Sequence, residues 1–136
     1  AVERLKIQYG TSMCYPLSSM GSHVSVIPNH QVFRNTPLHT RANVAYFGTF
    51  GYELDLNKLS DAEIEEVKAQ IRFMKEYREL LQFGTFYRLK SPFDGNETVW
   101  MVVSEDKSKA LVGYYRVLNG VNLPYSCVKL QGLDPE

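Results

Sequence analysis

The sequence is short of cysteine, of tryptophan and of net charge, and these shortages narrow what it can be. Its 136 residues hold two cysteines, Cys14 and Cys127, far apart and with no second pair. Neither a disulfide framework nor a zinc knuckle can be built from them. The expectation is two free, mostly buried thiols in a reducing compartment, the cytoplasm. Fifteen Lys+Arg against fifteen Asp+Glu leave no net charge, and no basic run compensates, so the electrostatic footprint of a nucleic-acid partner is missing. No apolar run approaches the roughly 18 residues of a membrane span, and no signal-peptide pattern opens the chain, so no membrane partner is expected. His23, His30 and His39 are separated by seven and nine positions. No two stand at the i, i+4 spacing that places ligands on one helix face, so no metal is expected. The length excludes a complete (β/α)8 barrel, which needs roughly 200–250 residues.

What remains is a globular composition, 44% hydrophobic and 22% charged, with elements readable along the chain. Val2, Leu5 and Tyr9 recur at helical spacing and Gly10 supplies a stop, so Val2–Tyr9 reads as the end of a helix. Nothing before Val2 caps it and the first residue is Ala1 rather than Met, so the chain is expected to begin inside a larger fold. Met20–Ile27 is β-compatible and closed by Pro28-Asn29, and Thr36-Pro37 opens a helix running to about Ala45. Tyr46–Leu56 reads as a strand whose Gly48 and Gly51 imply close approach of another backbone. Ser60-Asp61-Ala62-Glu63 is a capping box, followed by an apolar stripe of Ile64, Val67, Ile71, Met74, Tyr77 and Leu81. After Gln82 four strands are expected: Phe86–Lys90, Thr98–Val103, Ala110–Leu118 and Cys127–Leu133. In Thr98–Val103 neither parity is polar, so both faces of that strand should be covered.

Several segments in order carry a resemblance. Glu3-Arg4-Leu5-Lys6-Ile7-Gln8-Tyr9-Gly10-Thr11-Ser12 leads to Met20-Gly21-Ser22-His23-Val24-Ser25, then Pro28-Asn29-His30-Gln31 and Thr36-Pro37-Leu38. Phe47-Gly48-Thr49-Phe50-Gly51-Tyr52-Glu53-Leu54-Asp55-Leu56, Phe83-Gly84-Thr85-Phe86-Tyr87-Arg88-Leu89, Trp100-Met101-Val102-Val103-Ser104 and Gly113-Tyr114-Tyr115-Arg116 continue it. Together they closely resemble the glycoside hydrolase family 36 α-galactosidases, the melibiase group, over essentially the whole chain.

The resemblance implies a fold class of α/β followed by β. Residues 1–82 would be the last strands and helices of a (β/α)8 barrel, and 83–136 the start of a C-terminal antiparallel β-sandwich. It implies a retaining hydrolase that removes terminal α-1,6-linked galactose from melibiose and raffinose-type oligosaccharides. One aspartate would act as nucleophile and a second carboxylic acid as proton donor, without metal or organic cofactor. Family nucleophiles sit in a Lys-Trp-Asp type segment, absent here, and the acid/base lies just before the segment matching Ala1–Leu5. No catalytic residue is therefore expected in this chain, which alone should be inactive. The substrate partner would be an α-galactoside, bound through the longer enzyme, and a homo-oligomer is implied.

Because barrel sites lie at the C-terminal ends of the strands, Gly21, Ser22 and His23 become candidates for proximity to galactose, and Asn29, His30 and Gln31 for shaping the mouth. Glu53 and Asp55, i and i+2 on a strand and roughly 7 Å apart at Cα, could form an acid pair. The competing expectation is that they bind backbone or a nearby arginine. Most aromatics, Phe47, Phe50, Tyr52, Trp100, Tyr114 and Tyr115 among them, fall on strands, where core packing is the ordinary role. Asn96-Glu97-Thr98 matches a glycosylation acceptor pattern but reads as a hairpin loop. The alternative to an enzyme segment is a non-catalytic interaction or sugar-binding module made of the sandwich part and Ser60–Leu81.

Overall fold

The computed structural model describes residues 1–135. Helix α1, Val2–Thr11, runs two residues past the expected end because Gly10 keeps helical geometry and the chain turns only at Ser12. Strand β1 is His23–Ser25, shorter than the expected Met20–Ile27. Helix α2, Leu38–Ala45, starts after Thr36-Pro37, but no side chain caps it. The carbonyl of Thr36 instead accepts from the buried Arg41 Nε at 2.8 Å. Strand β2 is only Gly51–Glu53, so most of Tyr46–Leu56 is not strand, and residues 46–49 form a turn.

The long helix α3, Asp61–Phe83, carries the capping box as read: Ser60 N donates to Glu63 Oε2 at 2.8 Å and Glu63 N to Ser60 Oγ at 3.4 Å. Val67, Met74 and Leu81 of its stripe are buried, and so is Gln70, which the stripe does not include. Ile71 stays exposed. Gln70 is held there by Tyr52 Oη, which donates to its Oε1 at 2.7 Å.

Strands β3 (Thr85–Lys90), β4 (Glu97–Val103) and β5 (Ala110–Arg116) form an antiparallel sheet in that order, with an irregularity in β3 between Arg88 and Lys90. The expected strand Cys127–Leu133 is not one. That segment crosses the face of the sheet instead of pairing at its edge: Gln131 N reaches Met101 Sδ at 3.5 Å, and Ser126 Oγ donates to Glu97 at 2.9 Å. Both faces of β4 are covered as expected, with Val99, Trp100, Met101 and Val102 fully buried.

One core joins the two halves. Trp100 and Val102 of β4 belong to the same cluster as Leu5, Val24, Ala42, Phe47, Val67 and Leu81. Trp100 packs against Phe47 at 5.6 Å between centroids, Phe86 at 6.0 Å and Tyr115 at 5.2 Å. Polar ties reinforce the contact: Tyr115 Oη donates to the Asn43 carbonyl at 2.7 Å and Arg88 Nη1 to that of Ser12 at 2.9 Å.

Candidate functional site

Strands β1 and β2 pair in parallel, with His23 opposite Gly51, Val24 opposite Tyr52 and Ser25 opposite Glu53. Alternation along a strand sends Val24, fully buried, into the core beside α2. His23 and Ser25 consequently turn to the other face, the one that α2 leaves open.

On that face Arg4, His23 and Glu53 converge. Glu53 Oε2 lies 2.5 Å from His23 Nε2. Arg4 Nη2 lies 2.9 Å from the same nitrogen and 3.4 Å from Nδ1. One nitrogen of a neutral ring cannot both donate to a carboxylate and accept from a guanidinium. With Nε2–H donating to Glu53, Nδ1 is the acceptor left facing Arg4. The ring is held below its ordinary value of 6.5, first by burial and then by the Arg4 charge, with Glu53 opposing. It is neutral at pH 7.

The three residues expected near the sugar, Gly21, Ser22 and His23, have different surroundings. They stand at the entry to β1, before or at its first residue, rather than at its C-terminal end. Gly21 is exposed. Ser22 is buried, its hydroxyl donating to the Ala45 carbonyl. His23 alone presents a side chain to the open face. Gly48 answers to close approach: a Cβ there would meet Met20 O at 2.7 Å and Ser22 Oγ at 2.8 Å. Gly51 does not, since nothing lies within 4 Å of the same position.

Glu53 and Asp55 do not face one another as an acid pair. Glu53 is taken up by His23, and Asp55 Oδ1 accepts from Asn57 N at 3.0 Å, capping the short turn Leu56–Lys58. Asp55 therefore binds backbone, as the competing expectation had it, whereas Glu53 takes a histidine rather than backbone or an arginine as its hydrogen-bond partner. Among the described residues no three His, Cys, Asp or Glu side chains converge as a metal site would require, and no helix is long and apolar enough to cross a membrane. Cys14 and Cys127 are both exposed, against the expectation of burial. One sits in the turn after α1 and the other in the segment after β5, and neither place offers a core to enter. Asn96-Glu97-Thr98 runs into β4 rather than forming a loop, and Thr98 is buried.

Beyond the C-terminal end of β1 the chain makes a tight loop. Asn29 Oδ1 accepts from Gln31 N at 3.0 Å and Val32 N at 3.1 Å. Phe33 N donates to Asn29 O at 2.8 Å, and Asn29 N donates to Arg34 O at 3.1 Å. Arg34 pairs with Glu3 at 3.1 Å. Phe33 has a left-handed backbone, φ 52°, and a side chain open to solvent. His30 and Gln31 beside it are exposed as well.

Arg4 and Phe33 are the residues that sequence reasoning passed over. Arg4 shows only as one position of a long resemblance. Phe33 lies outside every helical or alternating pattern. A separate apolar groove of about 880 Å3 lies between α1, α2, α3 and β5, walled by Leu5, Val44, Phe47, Phe73 and Leu111. His23, Ser25 and Glu53 take no part in it.

Comparison with known proteins adds family and scale. Residues 1–84 match the family model described as Melibiase, and residues 97–136 that of the glycosyl hydrolase family 36 C-terminal domain. α-Galactosidase AgaA of Geobacillus stearothermophilus is 60% identical over 98% of this chain, which covers 18% of the relative. α-Galactosidase Mel36A of Lactobacillus acidophilus is 50% identical over all of it, again with 18% of the relative covered. A crystal structure of a Geobacillus stearothermophilus AgaA variant in complex with raffinose superposes with a TM-score of 0.95 at 59% identity, over 98% of this chain and 18% of that one. The chain thus spans about a fifth of the length of the relatives it matches.

Proposed function

Because the chain belongs to glycosyl hydrolase family 36, the melibiase group, we propose that it is the late-barrel and early C-terminal part of an α-galactosidase. The observation that carries this reading is the β1–α2–β2 unit: two consecutive strands, parallel and adjacent, joined by a helix packed on one face. That is the repeating unit of a (β/α)8 barrel. α3 and the antiparallel sheet follow it directly. In this reading residues 1–82 complete a barrel and 83–136 begin a β-sandwich.

The enzyme so completed would cleave terminal α-1,6-linked galactose from melibiose and raffinose-type sugars. A carboxylate attacks the anomeric carbon while a second carboxyl protonates the departing oxygen, and water then opens the galactosyl-enzyme. Two carboxyls suffice for this chemistry without metal or organic cofactor. Glu53 and Asp55 are each committed to a neighbour, so the reading assigns both reacting carboxyls to other parts of the enzyme. This segment supplies a wall. Its open face carries Arg4, His23 and Ser25. β1 is only three residues long, and of Gly21, Ser22 and His23 we assign proximity to the sugar to His23, the one whose side chain shares that face with Ser25 at the C-terminal end of the strand. Two exposed, unpaired thiols suit a reducing compartment, and the reading sets the enzyme in the cytoplasm as a homo-oligomer.

The test is product stereochemistry in the longer polypeptide that contains the segment. Hydrolysis of melibiose followed by proton NMR should release α-galactose first, before mutarotation. Release of β-galactose, or no cleavage of α-galactosides, would contradict the reading.

A further inference from the structure

Phe33 is more exposed than any other apolar side chain of the loop after β1, at 79%, against Val26, Ile27 and Val32 beside it. Its backbone lies in the left-handed region, φ 52°, which a bulky residue adopts only at a steric cost. A solvent-facing phenyl on a strained backbone gains nothing for the fold of this segment. The loop is nevertheless fixed: the Asn29 side chain and the Asn29–Phe33 and Asn29–Arg34 backbone bonds close it, and the Arg34–Glu3 pair ties it to α1. The ring is therefore carried on a fixed loop backbone, with the exposed polar residues His30 and Gln31 three and two positions before it in the same loop.

Three features coincide: a pre-ordered loop, an aromatic face and hydrogen-bonding groups on the same loop. Pyranose rings present an apolar face of C–H groups edged by hydroxyls, and this is the complementary chemistry. The loop leaves the C-terminal end of a parallel strand, the side on which barrel enzymes bind substrate. We propose that Phe33 is a stacking platform for a sugar ring beyond the terminal galactose, a specificity-determining residue for oligosaccharide over simple galactoside. This rests on the α-galactosidase reading above.

The experiment compares raffinose with methyl α-galactoside in the intact enzyme carrying this segment, with Phe33 unchanged and as Phe33→Ala, Phe33→Tyr and Phe33→Gly. Loss of stacking should raise KM for raffinose about fivefold in Phe33→Ala and Phe33→Gly. KM for methyl α-galactoside, which has no second ring, should not change, and kcat should hold for both. Phe33→Tyr should keep the unsubstituted ratio. Phe33→Gly removes the backbone strain, so its thermal midpoint should be no lower than that of the unsubstituted enzyme, which separates loss of a ligand contact from loss of fold. An unchanged raffinose-to-methyl ratio in Phe33→Ala would overturn the proposal. So would an equal fall on both substrates with a lowered thermal midpoint, which would make Phe33 a packing residue against the rest of the enzyme. A changed oligomeric state in sedimentation with the ratio intact would also overturn it, giving the ring to a contact between copies. Failure of the unsubstituted enzyme to cleave either substrate would instead remove the galactosidase reading itself.

Discussion

Trp100 is fully buried against rings from a turn and from both neighbouring strands, and Gly113 leaves the room that this closeness needs. A methyl at Gly113 would meet Trp100 Nε1 at 2.6 Å and Tyr115 Oη at 2.7 Å. Gly113→Ala is expected to cost about 1–3 kcal/mol through overpacking, read as a lower urea midpoint at unchanged m. Gly48 and Gly51 give a sharper comparison. The Met20 carbonyl next to Gly48 is backbone and cannot swing aside, whereas Gly51 has open space. Gly48→Ala should lower the urea midpoint and Gly51→Ala should leave it in place. The run Tyr46–Leu56 makes the two glycines look alike, because a sequence records that a side chain is missing and not what stands against the gap. His23 adds a pH signature. Its folded-state value lies below 6.5, so as pH falls below 6.5 the unfolded chain takes up a proton before the folded one does. Stability is fully present above that value and declines toward pH 5. Urea midpoints at pH 7.5 and 5.5 should differ, and His23→Gln should shrink the difference. An unchanged difference would assign the slope to other groups.

Among elements, legibility follows how local the causes are. α3 is readable because its start is fixed by a cap spanning four residues and its buried face by a 3.6-residue period. Ser60→Ala should lower the thermal midpoint by about 5 °C, as loss of a cap does in a domain of this size. β1 and β2 are three residues each, and what makes them strands is pairing with each other across α2, which no window of sequence contains. The segment Cys127–Leu133 misleads for the converse reason. Its composition suits a strand, yet Lys90, Glu97 and Ser126 bind one another across the sheet face and hold the chain over β4 instead of beside β5. The candidate site shows the same division. His23 is legible because it lies in a run that resembles a family, while Arg4 and Glu53 reach it only through folding, and Phe33 is conspicuous only once its exposure and backbone are seen.

At the scale of the molecule, a continuous core spans both family matches, but apolar side chains remain open beyond β5, including Leu118, Val121, Leu123 and Tyr125. β1 and β2 form a two-stranded parallel sheet, whose outer edges are unpaired among the described residues. Such surfaces draw partners in solution, so the isolated 136-residue chain should sediment as a dimer or larger at micromolar concentration, and a dry monomer would speak against the reading of a barrel remnant. Under the proposed function this segment shapes a galactoside site while the reacting carboxyls lie in other parts of the enzyme. The most direct test is the activity of the purified chain alone on p-nitrophenyl α-galactoside. The expected result is no turnover above buffer. Release of nitrophenol that disappears in Glu53→Gln or Asp55→Asn would contradict it.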